Sequence, residues 1–122
     1  ASLEEFDSTI NYRKKLFALY EELLVEIDGL NFVGGGFNDR EHGAWMCTVL
    51  VDRRKDLLNK LRSHNIESAQ VHYRNDRYSI FGGRKTFKNM DIVEDKYLVL
   101  PLHTKMTLED VKKVCDVIKS GW

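Results

Sequence analysis

The sequence predicts an α+β fold, a small and mainly antiparallel sheet with helices packed on one face. Three observations carry this expectation. The hydrophobic pattern switches between three-to-four-residue steps and two-residue alternation in the order helix, strand, strand, helix, strand, strand, helix. The length, 122 residues, is that of one domain able to bury a real core. The composition, 43% hydrophobic and 31% charged, is that of an ordinary globular chain.

Residues 2–28 read as one long helix, since Leu3, Phe6, Ile10, Leu16, Phe17, Leu19, Leu23, Leu24 and Ile27 recur mostly at helical steps. Arg13, Lys14 and Lys15 break that stripe and are expected to face water. Gly29 stands where a helix C-cap would be. A short strand from Leu30 to Val33 precedes Gly34-Gly35-Gly36, read as a turn rather than a phosphate loop, because no Gly-Lys-Ser/Thr follows. Ala44 to Val51 is a strong strand whose near-continuous apolar character implies burial on both faces, or on one face with a partner domain on the other. Asp52 is placed to cap a helix over 53–64 with Leu57, Leu58 and Leu61 inward, and Asn65 to close it in the left-handed conformation. Ser68 to Tyr73 alternates as a strand, and Tyr97 to Leu102 forms another, with Pro101, the only proline, near its end. Thr107-Leu-Glu-Asp110 resembles a capping box and opens a last helix with Val111, Val114, Cys115 and Ile118 inward.

Nineteen basic and nineteen acidic residues cancel, so nothing global draws the chain to nucleic acid or a membrane. No apolar run approaches the ~18–20 residues of a membrane span, and no signal peptide pattern opens the chain. Cys47 and Cys115 both fall in apolar periodic segments, which predicts buried free thiols and a reducing compartment. A cytoplasmic location is the matching expectation.

One segment departs from every periodic pattern. Between His72 and Lys88 stand five basic residues (Arg74, Arg77, Arg84, Lys85, Lys88) against one acid, Asp76. Tyr73, Tyr78, Phe81 and Phe87 are interleaved with them around Gly82-Gly83. Cations, flat apolar faces and a pliant backbone suit an anionic ligand that contains a ring, such as a nucleotide, a sugar phosphate or nucleic acid. A long solvated loop accounts equally for the composition. Lacking an anion, so like-charged a loop is expected to be the most mobile part of the fold. His72, Tyr73, Arg74, Arg77 and Tyr78 are the candidate ligand contacts. No zinc spacing, nucleophile elbow or Ser-His or Cys-His arrangement is present, so no metal and no complete catalytic set is expected.

Four stretches resemble the C-terminal part of the DegT/DnrJ/StrS family. They are Arg53-x-x-x-Leu57-x-x-x-Leu61-x-x-x-Asn65-Ile66, Val71-His72-Tyr73-Arg74, Tyr97-Leu-Val-Leu-Pro-Leu-His103 and Met106-Thr-x-Glu-Asp-Val-x-x-Val114. Arg13 and Tyr20 match a long helix that in the family leads out of a large domain. Asn65 stands where the family has Gly, and Asn75-Asp76-Arg77 where Pro-Leu-His is common. The resemblance implies the small C-terminal domain of a fold-type-I, pyridoxal-phosphate-dependent enzyme acting on nucleotide sugars. It further implies that pyridoxal or pyridoxamine phosphate is held by a large N-terminal domain carrying the Schiff-base lysine, and that the intact enzyme is a homodimer. The chain by itself is then expected to bind no cofactor and to be inactive. Amino transfer to a keto-sugar nucleotide is the implied reaction. Dehydration of a nucleotide sugar, a stand-alone nucleotide or nucleic-acid binding module, and a purely structural domain are the alternatives.

Overall fold

The computed structural model describes residues 3–34 and 38–122. Gly35 and Gly36, read above as part of a turn, lie outside the described residues, as does Ser2 of the first helix. The elements are α1 (Phe6–Leu24), β1 (Leu30–Phe32), β2 (Cys47–Val51), α2 (Arg54–Ser63), two 3-10 turns (Asn75–Arg77 and Ser79–Phe81), α3 (Lys88–Val93), β3 (Tyr97–Leu100) and α4 (Leu108–Lys119). The strands form one antiparallel sheet in the order β1-β2-β3, so the α+β expectation holds.

Register decides which residues meet the helices. Leu30 pairs with Val51, Val49 with Leu98 and Cys47 with Leu100, and all six are buried. Against this face lie Leu16, Phe17, Tyr20 and Leu24 of α1, Leu57 and Leu61 of α2, and Val111, Val114, Cys115 and Ile118 of α4, in one core. The opposite face carries Thr48, itself buried, together with Leu50, Tyr97 and Val99, which are partly covered. Both thiols are free and buried. Burial pushes Cys47 far up and Cys115 to about 12, so neither is a nucleophile at neutral pH.

Several elements differ from the sequence expectation, each for a physical reason. Helix α1 is shorter than 2–28. It stops at Leu24, after which two bonded turns (Ile27 N–H to Leu24 carbonyl and Leu30 N–H to Ile27 carbonyl, both 3.2 Å) lead into β1. Gly29 serves that entry rather than the helix cap: it takes φ +73, and a Cβ there would sit 3.3 Å from Asp52 Cβ. Strand β2 starts at Cys47, not Ala44, because Ala44 has a positive φ of 46. Asp52 does not cap α2; its carboxylate takes Lys96 at 2.6 Å, and Arg53, with φ 50, occupies the cap position with no side-chain bond. Asn65 does close α2 at φ 58, with Ile66 N–H donating to Leu61 carbonyl at 2.9 Å.

The fourth strand is reduced to a single bridge, Ala69 with Val99. On either side of that bridge the β3 edge is already used. Arg54 donates to Tyr97 carbonyl at 3.2 Å and to Gln70 at 2.7 Å, and Tyr20 hydroxyl donates to Pro101 carbonyl at 3.0 Å. Nor does Arg13 face water. Its Nε donates to Ala44 carbonyl at 2.8 Å and its Nη2 to Trp45 carbonyl, while Lys14 meets Glu41 at 2.7 Å. His42 stacks on Phe17 with centroids 4.2 Å apart. Arg13 and Lys14 thus hold the connection into β2, while Lys15 is exposed as expected. Helix α4 matches expectation, with the reciprocal Thr107–Asp110 capping box complete. Helix α3 was not anticipated.

Candidate functional site

The segment after Val71 is organised around one buried cation. The Arg74 side chain is 2% exposed. Its Nε donates to Asp76 Oδ1 at 2.8 Å and its Nη2 to Asp76 Oδ2 at 2.6 Å, a two-pronged fork. Nη1 donates to Asp91 and, at 3.4 Å, to Glu94 Oε2. Nη2 also donates to Lys85 carbonyl at 2.7 Å. A guanidinium has five N–H donors, and here each has an acceptor. Burial of a charge is tolerable only under such pairing.

The carboxylates are held in turn. Asp76 Oδ2 accepts Lys85 N–H at 3.0 Å, and Asp91 Oδ2 accepts Phe87 N–H at 3.0 Å at the start of α3. The Arg74 fork, followed by the Lys85 amide, lowers Asp76 to about 2. Asp76 and then Asp91 raise Arg74. Glu94 is lowered chiefly by Arg84, which grips it with both Nη atoms.

On the outside of this frame lie His72, Tyr73, Arg77 and Tyr78, all exposed. Arg77 stacks over Tyr73, its guanidinium carbon 4.6 Å from the ring centroid, and stands 5.5 Å from that of Tyr78. The structure therefore groups four of the five candidate residues on an accessible surface and places the fifth, Arg74, underneath them. A narrow cavity of about 130 Å³ runs between, reached by Gln70, His72, Tyr73, Met90 and Glu94. A wider one, about 450 Å³, opens on the other side of Arg74, where Asn75, Phe81, Lys85, Phe87 and Met90 line it.

Two expectations change. The loop does not lack ordering contacts, because Asp91 and Glu94 supply counter-charge from just beyond Lys88, where the sequence count of basic residues stopped. Arg74, expected among the ligand contacts, has all its donors engaged internally. The signal for this was present as acids at 91 and 94, three apart and hence on one side of a helical turn, but it is readable only once α3 is known to be a helix.

A larger depression, about 720 Å³, lies elsewhere, between residues 64–71 and α4. Its lining is mainly apolar, and Ser68 Oγ is buried there without a hydrogen-bond partner. Among the described residues no cluster of His, Cys, Asp and Glu could hold a metal ion, and no helix is long and apolar enough to cross a membrane.

Residues 1–119 match the DegT/DnrJ/EryC1/StrS aminotransferase family. Among solved structures, the sugar aminotransferase CalS13 from Micromonospora echinospora is similar at 30% identity and TM-score 0.91, covering 98% of this chain and 32% of that one. AtS13 from Actinomadura melliaura is similar at 29% identity and TM-score 0.90, with 98% and 32% covered. A protein of Streptococcus pneumoniae known in PLP and PMP forms shares the fold at TM-score 0.87 and 0.85, with 16% and 18% identity and 97% and 32% covered. This chain thus spans about a third of the length of these structures. Among curated proteins none matches it.

Proposed function

This chain belongs to the DegT/DnrJ/EryC1/StrS aminotransferase family, and on that premise we propose that it is the substrate-side, C-terminal domain of a nucleotide-sugar aminotransferase. In this reading residues 1–122 form one domain of a larger homodimeric enzyme. A large domain outside these residues holds pyridoxal phosphate, and the chain alone is inactive. The cofactor's covalent anchor is a lysine amine kept out of water. The buried polar and charged side chains among the described residues are Thr48, Arg74 and Asp76, so no lysine here fits that role. In this reading the residues of this chain serve the substrate.

One observation carries the reading: Arg77, lying over Tyr73 and beside Tyr78, on a surface fixed from below by Arg74. An exposed guanidinium donates a fork of N–H bonds to phosphate oxygens, and the two tyrosines offer flat faces and hydroxyls to a sugar. His72 adds a ring nitrogen at the edge of the same surface. Arg74 acts through the frame, without touching the substrate.

Changing Arg77 to Ala in the intact enzyme should weaken nucleotide-sugar binding by about 1.5–3 kcal/mol, the range for a hydrogen bond to a charged group. The melting temperature should stay within the error of the wild-type value, because Arg77 is exposed. Calorimetric titration with a nucleotide sugar, beside a thermal melt, checks both. Equal affinities would take Arg77 out of the site. A lower melting temperature with equal affinity would make the residue structural.

A further inference from the structure

We infer that Lys85 is a second anion contact of the same site, one whose position is set by the Arg74–Asp76 pair and whose ligand is the diphosphate of a nucleotide. The inference rests on the nucleotide-sugar reading above. It starts from the backbone of Lys85, which the frame grips on both sides. The N–H of Lys85 donates to Asp76 Oδ2 at 3.0 Å, and its carbonyl accepts Arg74 Nη2 at 2.7 Å. The fork that joins Arg74 to Asp76 therefore fixes where the Lys85 side chain begins.

Of the five basic residues between His72 and Lys88, Arg74 is buried among carboxylates and Arg84 grips Glu94. Like those of Arg77 and Lys88, the Lys85 side chain is exposed and has no carboxylate partner among the described residues. Its stem passes the Gly82 turn, with Cε 4.0 Å from where a Gly82 Cβ would stand. Gly82 and Gly83 take φ +86 and +77, a reversal that only glycine adopts without strain and that brings Lys85 back toward Phe81.

Lys85 borders the cavity of about 450 Å³, together with Arg74, Asn75, Asp76, Phe81, Phe87 and Met90; the Asp76 carboxylate there is already engaged by Arg74 and the Lys85 amide. Phe81 and Phe87 are 57% and 52% exposed, so their faces are open to a ligand. Asn75 is exposed, and its amide offers both donors and an acceptor. An unpaired ammonium beside two open rings and an exposed amide suits a phosphate attached to a flat heterocycle.

The test is a titration of the intact protein with a nucleoside diphosphate and, separately, with inorganic pyrophosphate. The variants are Lys85→Ala, Lys85→Arg, Arg74→Lys and the Arg74→Lys/Lys85→Ala double variant. Lys85→Ala keeps both backbone bonds, so its melting temperature should match wild type. Its Kd for either probe should rise about tenfold, the size of one charge-assisted contact, and Lys85→Arg should restore most of that loss. Arg74→Lys keeps the charge but loses the fork. If Arg74 acts by placing Lys85, the double variant should bind no more weakly than the weaker single one. Additive losses would overturn the positioning claim. A loss for the nucleoside diphosphate with pyrophosphate unaffected would overturn the phosphate assignment. Unchanged affinity in Lys85→Ala, with Arg77→Ala weakened, would sink this inference and leave the nucleotide-sugar reading standing. Unchanged affinity in both would sink the two together.

Discussion

A guanidinium withdrawn from water needs every donor met, and Arg74 shows how few residues suffice. Asp76 lies two positions along the chain, Asp91 on α3 and Glu94 just past its end, and the Lys85 carbonyl closes the set. Asp76 is the tightest partner and titrates at about 2 in the folded chain instead of its ordinary 3.8. A carboxylate lowered by folding stabilises the folded state fully above its ordinary value, and this contribution is lost as pH falls through the lowered one. Thermal melts should therefore show stability declining as the pH drops from 3.8 toward about 2. Asp76→Asn should melt lower at neutral pH and show a shallower decline across that same interval. A variant whose acid decline matches wild type would mean that Asp76 does not hold the loop.

At the scale of elements, the Thr107 cap and the Asn65 closure were legible, whereas Gly29 and Asp52 do not cap as their positions suggest. Thr107 and Asp110 are three apart before an apolar stripe, and the reciprocal bonds form: Asp110 N–H to Thr107 Oγ1 at 3.1 Å and Thr107 N–H to Asp110 Oδ2 at 2.9 Å. Thr107→Ala should cost about 1 kcal/mol in a urea titration, the usual cost of losing a helix N-cap. A cost near zero would show that tertiary packing alone sets the start of α4. Asn65 likewise closes α2 as its side chain permits, at φ 58. Asp52 was misread because a capping residue and an ion-pair partner look alike in sequence, and the choice between them lay with Lys96, forty-four positions away. The lost strand has the same kind of cause. Ser68 to Tyr73 alternates correctly, but pairing needs free edge groups, and Arg54 and Tyr20 already occupy carbonyls along β3. That occupation also protects the sheet edge against pairing with another chain.

Across the whole molecule the core is ordinary and the surface is not. Leu3 is 88% exposed and Phe6 55%, whereas Ile10 is half-covered and Phe17 is buried, so the apolar stripe of α1 outruns the core only at its beginning. A second exposed apolar area lies around the candidate site, where Ile80 is 86% exposed and Ile92 58%. Large apolar side chains left this exposed suit contact with other protein. The 122-residue chain expressed alone should associate as its concentration rises, and Ile80→Ser with Phe81→Ser should reduce that association without unfolding it. Sedimentation velocity over a range of concentrations reads this out. A concentration-independent monomer for the unaltered chain would count against these residues belonging to an interface.

The sequence by itself determined the fold class, the inward face of each long helix, the last helix with its cap, the two buried thiols and the family. All of these follow from local spacing, because periodicity and capping act within a few residues. It also located the segment where His72, Tyr73, Arg77 and Tyr78 lie. Only the tertiary structure decided which of its cations face outward. A charge's role depends on the carboxylates that reach it in space, and for Arg74 and Arg84 these include Asp91 on α3 and Glu94 just past its end, which mean nothing until the chain brings them over the loop. Arg74, expected among the ligand contacts, became the frame, and Lys85, held by its own N–H and carbonyl, keeps an exposed side chain.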